Sequence, residues 1–288
     1  MNNGSLTDKA MLARLSITQW SARKTDKRVT AHVHAEYNAS ADSGRYNKAL
    51  VSAEALQKVQ QIAGAARDEH YKLTLPWRDD GARILPAKAY LDYSKLMRRL
   101  RCDFENAAGE FCDLYPSYIQ DARARLNGMF NSADYPPIEK IRSKFTWQVS
   151  IDPLPVGGDF RVELSDEEAR RIREDIDGRT KQALQEGLQD AWKRLHEALG
   201  KAVERLSDPK AIFRDSLIGN LRELCDVLPL LNFADNPDLE RARRKVETRL
   251  AGLDPETLRG NSRSRAKAAS DAKQIMNDMA AFMGKAAA

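Results

Sequence analysis

Residues 165–209 read SDEEARRIREDIDGRTKQALQEGLQDAWKRLHEALGKAVERLSDP, and this stretch decides the fold. The opening Ser-Asp-Glu-Glu is a capping box, and the closing Ser-Asp-Pro ends a helix. Apolar or small residues recur about every 3.7 positions between them, which is the spacing of one helix face. The face comprises Ala169, Ile172, Ile176, Thr180, Leu184, Leu188, Ala191, Leu195, Leu199, Ala202 and Leu206. We therefore predict one long, nearly straight helix whose apolar face needs a partner. Gly178 and Gly187 each weaken it by ~1 kcal/mol relative to Ala, so tertiary packing has to stabilise it.

The stretch before this helix, residues 144–164, changes to a period of two. Apolar residues alternate with polar ones on both sides of a Pro/Gly-rich loop, which predicts a β-hairpin. One face of this hairpin carries Phe145, Trp147, Val149, Ile151, Phe160, Val162 and Leu164. An isolated two-stranded sheet is marginally stable in water, so this face needs a cover. The cover is either the chain's own helices or another chain, and these seven residues are our candidate partner interface.

A second long helix is predicted to begin near Pro86 and to run to Met129, with a kink or break at Pro116. Further towards the N-terminus, residues 45–70 have helical spacing, and residues 15–20 and 29–37 allow a second hairpin. These elements predict a mainly α fold, an elongated antiparallel long-helix bundle with a small β-hairpin inserted between two long helices.

The same patterns suggest four segments along the chain. They are an N-terminal segment with a possible hairpin and one helix (1–85), a long-helix stalk with the hairpin tip at 144–164 (86–206), C-terminal helices (207–253), and a basic linker with a tail helix (254–288).

Composition narrows the class of protein. Of the 288 residues, 42% are hydrophobic and 31% are charged, which favours a thin helical protein with much surface. Three cysteines without CxxC spacing suit a reducing compartment. The start of the chain does not resemble a signal peptide, and no apolar run approaches 18 residues. We expect a soluble, cytoplasmic protein, and a membrane partner is not favoured.

The net charge of +5 is concentrated at the two ends of the chain. Residues 1–48 hold 8 Lys/Arg against 4 Asp/Glu, and residues 239–285 hold 11 against 6. Such ends could meet a polyanion or the acidic centre of a second copy. The candidate nucleic-acid contacts are Arg241, Arg243, Arg244, Lys245, Arg263, Arg265 and Lys267. The alternative interpretation of these seven residues is a solvated helix face and a flexible tail.

Motifs for chemistry are scarce. His32 and His34 would share one face of a strand, but no third ligand lies near them in sequence, so we predict no metal site. The chain contains no phosphate-binding or dinucleotide-binding glycine motif and no nucleophile elbow. We therefore expect a protein that is not an enzyme and has no cofactor.

Four strings resemble an uncharacterised family of bacteriophages and prophages. They lie at residues 74–86 (TLPWRDDGARILP), 133–136 (ADYP), 158–162 (GDFRV) and 206–217 (LSDPKAIFRDSL). The resemblance covers roughly residues 10–250 and leaves out the basic tail. The resemblance implies a soluble helical protein in a bacterial host cell. Members of the family are often considered together with a cobalt-chelatase-like AAA+ ATPase, which the resemblance suggests as a partner. The family is a domain of unknown function, so no catalytic residues carry over.

Taken together, these patterns favour a non-enzymatic phage-type assembly or adaptor protein. It would form a homo-oligomer, or dock on a partner such as the AAA+ ATPase, through its long helices and apolar hairpin. One alternative is a nucleic-acid-associated protein of phage DNA metabolism that uses its basic ends. The other is a membrane-active helical protein with a β-tongue.

Overall fold

A computed structural model of the chain describes residues 6–78, 80–162 and 164–283, with side chains described as far as Met279. This part is mainly helical and contains a small antiparallel sheet, so the predicted fold class is confirmed at this level. Its α-helices are α1 (Lys27–Glu36), α2 (Ala53–Leu73), α3 (Tyr90–Leu126), α4 (Ile138–Arg142), α5 (Asp166–Ser207), α6 (Ser216–Leu231), α7 (Pro237–Val246), α8 (Pro255–Gly260) and α9 (Ser262–Met283). Its strands are β1 (Ala10–Thr18), β2 (Arg23–Thr25), β3 (Asn47–Ala49), β4 (Leu75–Pro76), β5 (Arg83–Pro86) and β6 (Thr146–Asp152).

The chain divides into two compact units, each assembled from separate stretches of sequence. The first unit comprises residues Met1–Arg14, Glu69–Ser94 and Ser150–Ala288, and the second comprises Leu15–Asp68 and Lys95–Val149. α5 belongs to the first unit, whereas most of α3 belongs to the second. The antiparallel bundle of two long helices that we predicted is not confirmed.

The first unit is organised around the C-terminal half of α5. The most extensive helix contact of this half is with α9, which runs antiparallel to it. Arg265, near the start of α9, bonds to carbonyls at the end of α5, and Met276 lies against Gly200. Helix α6 and strand β4 pack on other sides of the same half. Gly187 allows this approach, because a Cβ atom there would lie 2.8 Å from Cδ1 of Ile84 and 3.6 Å from Cβ of Leu75.

The second unit has an aromatic core. Trp20 meets Tyr115 edge-on at a centroid distance of 5.7 Å, and Phe111 at 6.1 Å. The buried members of this core are Trp20, Ala22, Leu50, Val51, Leu56, Phe111, Cys112, Tyr115 and Ile141. Burial of such large rings is the main favourable term in the stability of a unit of this size.

The predicted β-hairpin is wrong in its second arm. Among residues 160–162 and 164 none is in a strand, and β6 instead ends a sheet in the order β4-β5-β1-β6. Thr18 at the end of β1 lies beside Thr146 at the start of β6, with 2.6 Å between their hydroxyl oxygens. The backbone groups of β6 therefore find a strand that is remote in sequence, as sheet pairing allows.

Two further predictions are wrong for local reasons. Residues 29–37 lie mostly in helix α1 rather than in a strand, because the Asp26 side chain accepts a hydrogen bond from the backbone N–H of Val29 and caps this helix. The predicted linker after residue 253 is helical, since Asp254 caps α8 in the same way and α9 follows directly. At Pro116, where we predicted a kink or a break, α3 continues without a break.

Candidate functional site

The N-terminal half of α5, residues 166–179, is the least covered part of the first unit's central helix. Of its side chains only Ala169 is buried, and Ile172 and Ile176 on the same face are half-buried. In the C-terminal half the same face is half-buried at Leu188 and buried at Thr180, Leu184, Ala191, Leu195, Leu199, Ala202 and Leu206. The predicted apolar face is thus confirmed in position, with eight of its eleven residues buried and two of the three half-buried ones, Ile172 and Ile176, near its N-terminal end.

A short segment, residues 153–160, packs on this exposed half, and we call it the strap. Leu154 of the strap is buried, and the Thr180 hydroxyl donates a hydrogen bond of 3.0 Å to the carbonyl of Pro155. The backbone N–H of Gly157 donates to the Asp177 carboxylate at 2.7 Å. The Arg173 guanidinium donates to the carbonyl of Phe160 at 3.2 Å. These bonds satisfy strap backbone groups that a second hairpin strand would otherwise have used.

Gly157 fixes how closely the strap approaches α5. A Cβ atom at this position would lie only 2.6 Å from the backbone carbonyl oxygen of Arg173. No side chain fits in that space without moving the strap away from the helix. A glycine that looked like part of a hairpin loop is therefore a packing requirement.

Exposed apolar side chains lie where the strap leads into α5. Val162 is 58% exposed and Leu164 is 49% exposed, and both precede the first turn of the helix. We call Val162, Leu164, Ile172 and Ile176 the apolar seam. Scattered exposed apolar residues are ordinary, but a set along one segment is typical of an interaction surface.

The charges along this half of α5 are all negative in the first turn and mixed, with an excess of cations, beyond it. Its first turn is entirely acidic, with Asp166, Glu167 and Glu168, and the Ser165 hydroxyl accepts from the backbone N–H of Glu168 at 3.4 Å. From residue 169 to residue 181 there are five cations and three carboxylates. Negative charge at a helix N-terminus is favourable, so the acidic turn also stabilises the helix.

The predicted interface residues before the strap are mostly covered by the chain itself. Trp147 is buried, with its ring centroid 5.5 Å from that of Phe104, and Phe145 lies 5.6 Å from Phe111. Val149 is half-buried and Ile151 remains exposed. The chain covers Phe145 and Trp147 itself, so they do not form an open interface with Val162 and Leu164.

The predicted nucleic-acid contacts are largely engaged within the chain. Arg241, Arg244 and Lys245 form ion pairs with Asp238, Glu240 and Asp278, respectively. Arg243 is nearly buried between Glu240 and Glu247, and its hydrogen bond, with that of Arg244, lowers the pKa of Glu240 to about 2.

Arg265 is buried and donates to the carbonyls of five residues. These are Arg205, Leu206, Asp208, Pro209 and Ala211. Arg263 and Lys267 are exposed. The predicted basic patch is therefore mostly a set of helix caps and internal ion pairs, which sequence composition cannot distinguish from a patch of free charges.

A side chain with a strongly shifted pKa lies at the end of α2. Nδ1 of His70 is 2.9 Å from the Tyr93 hydroxyl, and burial, with a smaller effect of Arg83, lowers the pKa of this histidine to about 4. Thr74 donates to the carbonyl of His70, and Arg194 of α5 donates to the carbonyl of Thr74 at 2.7 Å. This buried cluster caps α2 and holds a neutral imidazole. No sequence motif predicted this cluster.

A groove of about 310 Å³ lies beside this cluster, between α5 and α6. Leu217, Leu221 and Leu224 form its apolar wall, and Lys201 and Lys72 lie at its rim. Lys72 forms an ion pair with Glu223 across it. The described lining residues combine this apolar wall with charged side chains, among them Arg194 and Glu197.

The predicted histidine pair does not form a site. His32 and His34 lie two residues apart on a helix and point in different directions, and the His34 ring lies 3.0 Å from the carbonyl of Gly44. Within residues 6–78, 80–162 and 164–283, no group of three or more His, Cys, Asp or Glu side chains could hold a metal ion. In the same ranges no helix has the length and apolar character needed to cross a membrane.

Comparison with protein-family models, with curated proteins and with solved structures finds no match for this chain. The resemblance to a phage family remains an expectation based on the four sequence strings.

Proposed function

We propose that this chain is a non-enzymatic assembly protein that pairs with a second copy of itself along the N-terminal half of α5. The observation that carries this proposal is the half-covered face of that helix. Ile172 and Ile176 continue the face that is mostly buried in residues 180–206, yet both remain half-buried, and Val162 and Leu164 are exposed in the segment that leads into the helix.

The charge order along this half favours a second copy as the partner. When two such helices lie antiparallel, the acidic turn at residues 166–168 of one copy faces the arginine-rich stretch of the other. Arg170, Arg171 and Arg179 are all exposed and available for such pairing, although Arg170 and Arg179 also face carboxylates of their own helix. A two-fold interface is self-complementary, so a helix with an acidic first turn followed by an excess of cations can recognise its own copy.

The same arrangement would also stabilise the helix itself. Residues 166–179 form about four turns, roughly 20 Å long, and the strap packs on them at Arg173 and Asp177. Helical stability in proteins comes mostly from packing of an amphipathic face, so covering Ile172 and Ile176 would stabilise this stretch further. Pairing two copies covers Ile172 and Ile176 in both at once, and Val162 and Leu164 extend the covered area at each end.

A pair of variants tests this proposal. Val162→Asp with Leu164→Asp places two charges in the apolar seam, and we expect it to weaken self-association by about a hundredfold or more. Both side chains are exposed and both precede the helix, so the helical content should not change. The measurement is absolute mass by light scattering across a concentration series, with circular dichroism as the check on folding.

Ile212→Asp is the matched control. Ile212 is a large apolar side chain in the same unit, it is 89% exposed, and it lies far along the chain from the seam. This variant should associate like the parent protein. A parent chain that stays a monomer at every concentration, or equal association in both variants, contradicts the proposal.

A further inference from the structure

A small basic element projects from the second unit. Strands β2 and β3 pair antiparallel, with Arg23 opposite Ala49 and Thr25 opposite Asn47, and helix α1 lies between them in sequence. We call residues 23–49 the basic finger. Helix α1 has no buried residue, which is unusual for a helix of ten residues in a folded unit. Because α1 contributes no buried side chain to the core, its exposed surface is a candidate for binding.

The finger is fixed firmly at its base. Lys48 is nearly buried, and its ammonium group lies 3.1 Å from the Asp26 carboxylate, 2.7 Å from the Asp134 carboxylate and 2.8 Å from the carbonyl of Met129. A buried cation is tolerated only when it is paired and hydrogen-bonded in this way. The triad also removes the charge of Asp26 from the exposed surface, because that carboxylate is occupied by Lys48 and by the helix cap.

The exposed charges of the finger are predominantly positive. Its exposed cations are Arg23, Lys24, Lys27, Arg28 and Arg45, and its exposed acids are Glu36 and Asp42. Among the described residues, no ion pair involves Arg23, Lys27 or Arg45. These three side chains therefore keep their charges available to an external anion.

Two tyrosines lie among these charges. Tyr37, at the end of α1, is 77% exposed, and Tyr46 is also exposed. The backbone of Tyr46 is held at both ends, because its N–H donates to the Thr30 hydroxyl at 3.1 Å and its carbonyl accepts from the N–H of Asp26 at 2.9 Å. The backbone N–H of Tyr37 bonds to the carbonyl of Val33. Rings on a fixed backbone can stack on a ligand with little loss of conformational entropy.

We propose that the basic finger binds single-stranded nucleic acid, with Arg23, Lys27 and Arg45 contacting phosphates and Tyr37 and Tyr46 stacking on bases. Aromatic stacking requires unpaired bases, which favours a single strand over a duplex. An anionic membrane is less suited to this surface, because the finger has few large apolar side chains to insert.

The first measurement is fluorescence anisotropy of the full-length chain with a labelled single-stranded oligo-dT at low salt. Stacking is worth ~1–3 kcal/mol per base, so Tyr37→Ala should weaken binding about tenfold, while Tyr37→Phe, which keeps the ring, should bind like the parent. Replacing Arg23, Lys27 and Arg45 together by Gln should lower the slope of log affinity against log salt by about 2, since each phosphate contact contributes about 0.7.

Lys140→Gln is the matched control for charge. Lys140 is exposed in the same unit but lies on α4, outside the finger. It should change the affinity little. A duplex of equal length should bind more weakly than the single strand.

Three outcomes would overturn the inference. They are no binding of the oligonucleotide at ~50 mM salt, an unchanged affinity in the triple Gln variant, or binding of anionic vesicles in place of nucleic acid. None of these results bears on self-association through α5, because the seam and the finger belong to different units and are altered by different variants.

Discussion

The two halves of α5 have the same apolar spacing and opposite surroundings. From Thr180 to Leu206 the apolar face is buried under α9, α6 and β4 except at the half-buried Leu188, and from Asp166 to Arg179 only Ala169 is buried. The difference does not come from the helix pattern itself. It comes from which later segments of the chain return to pack on it. An amphipathic pattern therefore identifies the face that needs a cover, but it does not identify the cover.

The largest expected difference between the halves is in core packing. Leu195 is fully buried, so Leu195→Ala should lower the free energy of unfolding by about 2–5 kcal/mol. Ile172 is only half-buried, and Ile172→Ala should cost less than about 1 kcal/mol in the monomer. Urea denaturation at low protein concentration compares the two variants. Equal losses would mean that both halves are packed alike, contrary to the structure.

The next effect is a pH dependence that belongs to the covered half. Arg194 links that half to the cluster around His70, whose pKa is lowered from 6.5 to about 4. Between these two pH values the unfolded chain binds a proton at His70 and the folded chain does not. The contribution of His70 to the free energy of unfolding is therefore fully present above pH 6.5. It should fall by roughly 2–3 kcal/mol as the pH drops towards 4.

His70→Gln tests this assignment, because glutamine can still bond to the Tyr93 hydroxyl and does not titrate. The urea midpoint of the variant should change less between pH 7 and pH 4.5 than that of the parent, because the contribution of His70 is missing. The same pH dependence in parent and variant would assign the effect to other groups.

The smallest effects concern two glycines, one in each half. Gly187→Ala should destabilise the protein by up to about 2 kcal/mol, since overpacking of its Cβ against the Ile84 side chain at 2.8 Å outweighs the gain of ~1 kcal/mol in helix propensity. Gly178→Ala meets no atom within 4 Å and should stabilise the helix by up to ~1 kcal/mol. Thermal unfolding measures both shifts. If both variants were stabilised, the approach of the sheet to α5 would not be as close as described.

Much of the fold could be predicted from local patterns. The capping box and the closing Pro209 predicted the limits of α5, and alternation predicted β6. The second hairpin arm could not be excluded from sequence, because residues 160–164 alternate as a strand would. The decisive facts are non-local, namely that β6 pairs with β1 and that Gly157 lies against Arg173.

The candidate sites were predictable only in part. Val162 and Leu164 are exposed as expected for an interface, whereas Trp147 is covered by Phe104. The basic residues near the C-terminus looked free in sequence, but Arg265 caps the end of α5 by bonding to the carbonyls of Arg205 and Leu206, 60 and 59 positions earlier in the chain. Composition counts charges, but it does not show which of them are already paired.

The central claim is that a second copy covers the exposed half of α5, and hydrogen exchange tests it most directly. The amides of residues 166–179 and 183–206 can be followed by mass spectrometry at two protein concentrations about a hundredfold apart. We predict that residues 166–179 gain protection at the higher concentration while residues 183–206, already packed, do not change. Equal exchange of residues 166–179 at both concentrations, with a constant monomeric mass, would contradict the account.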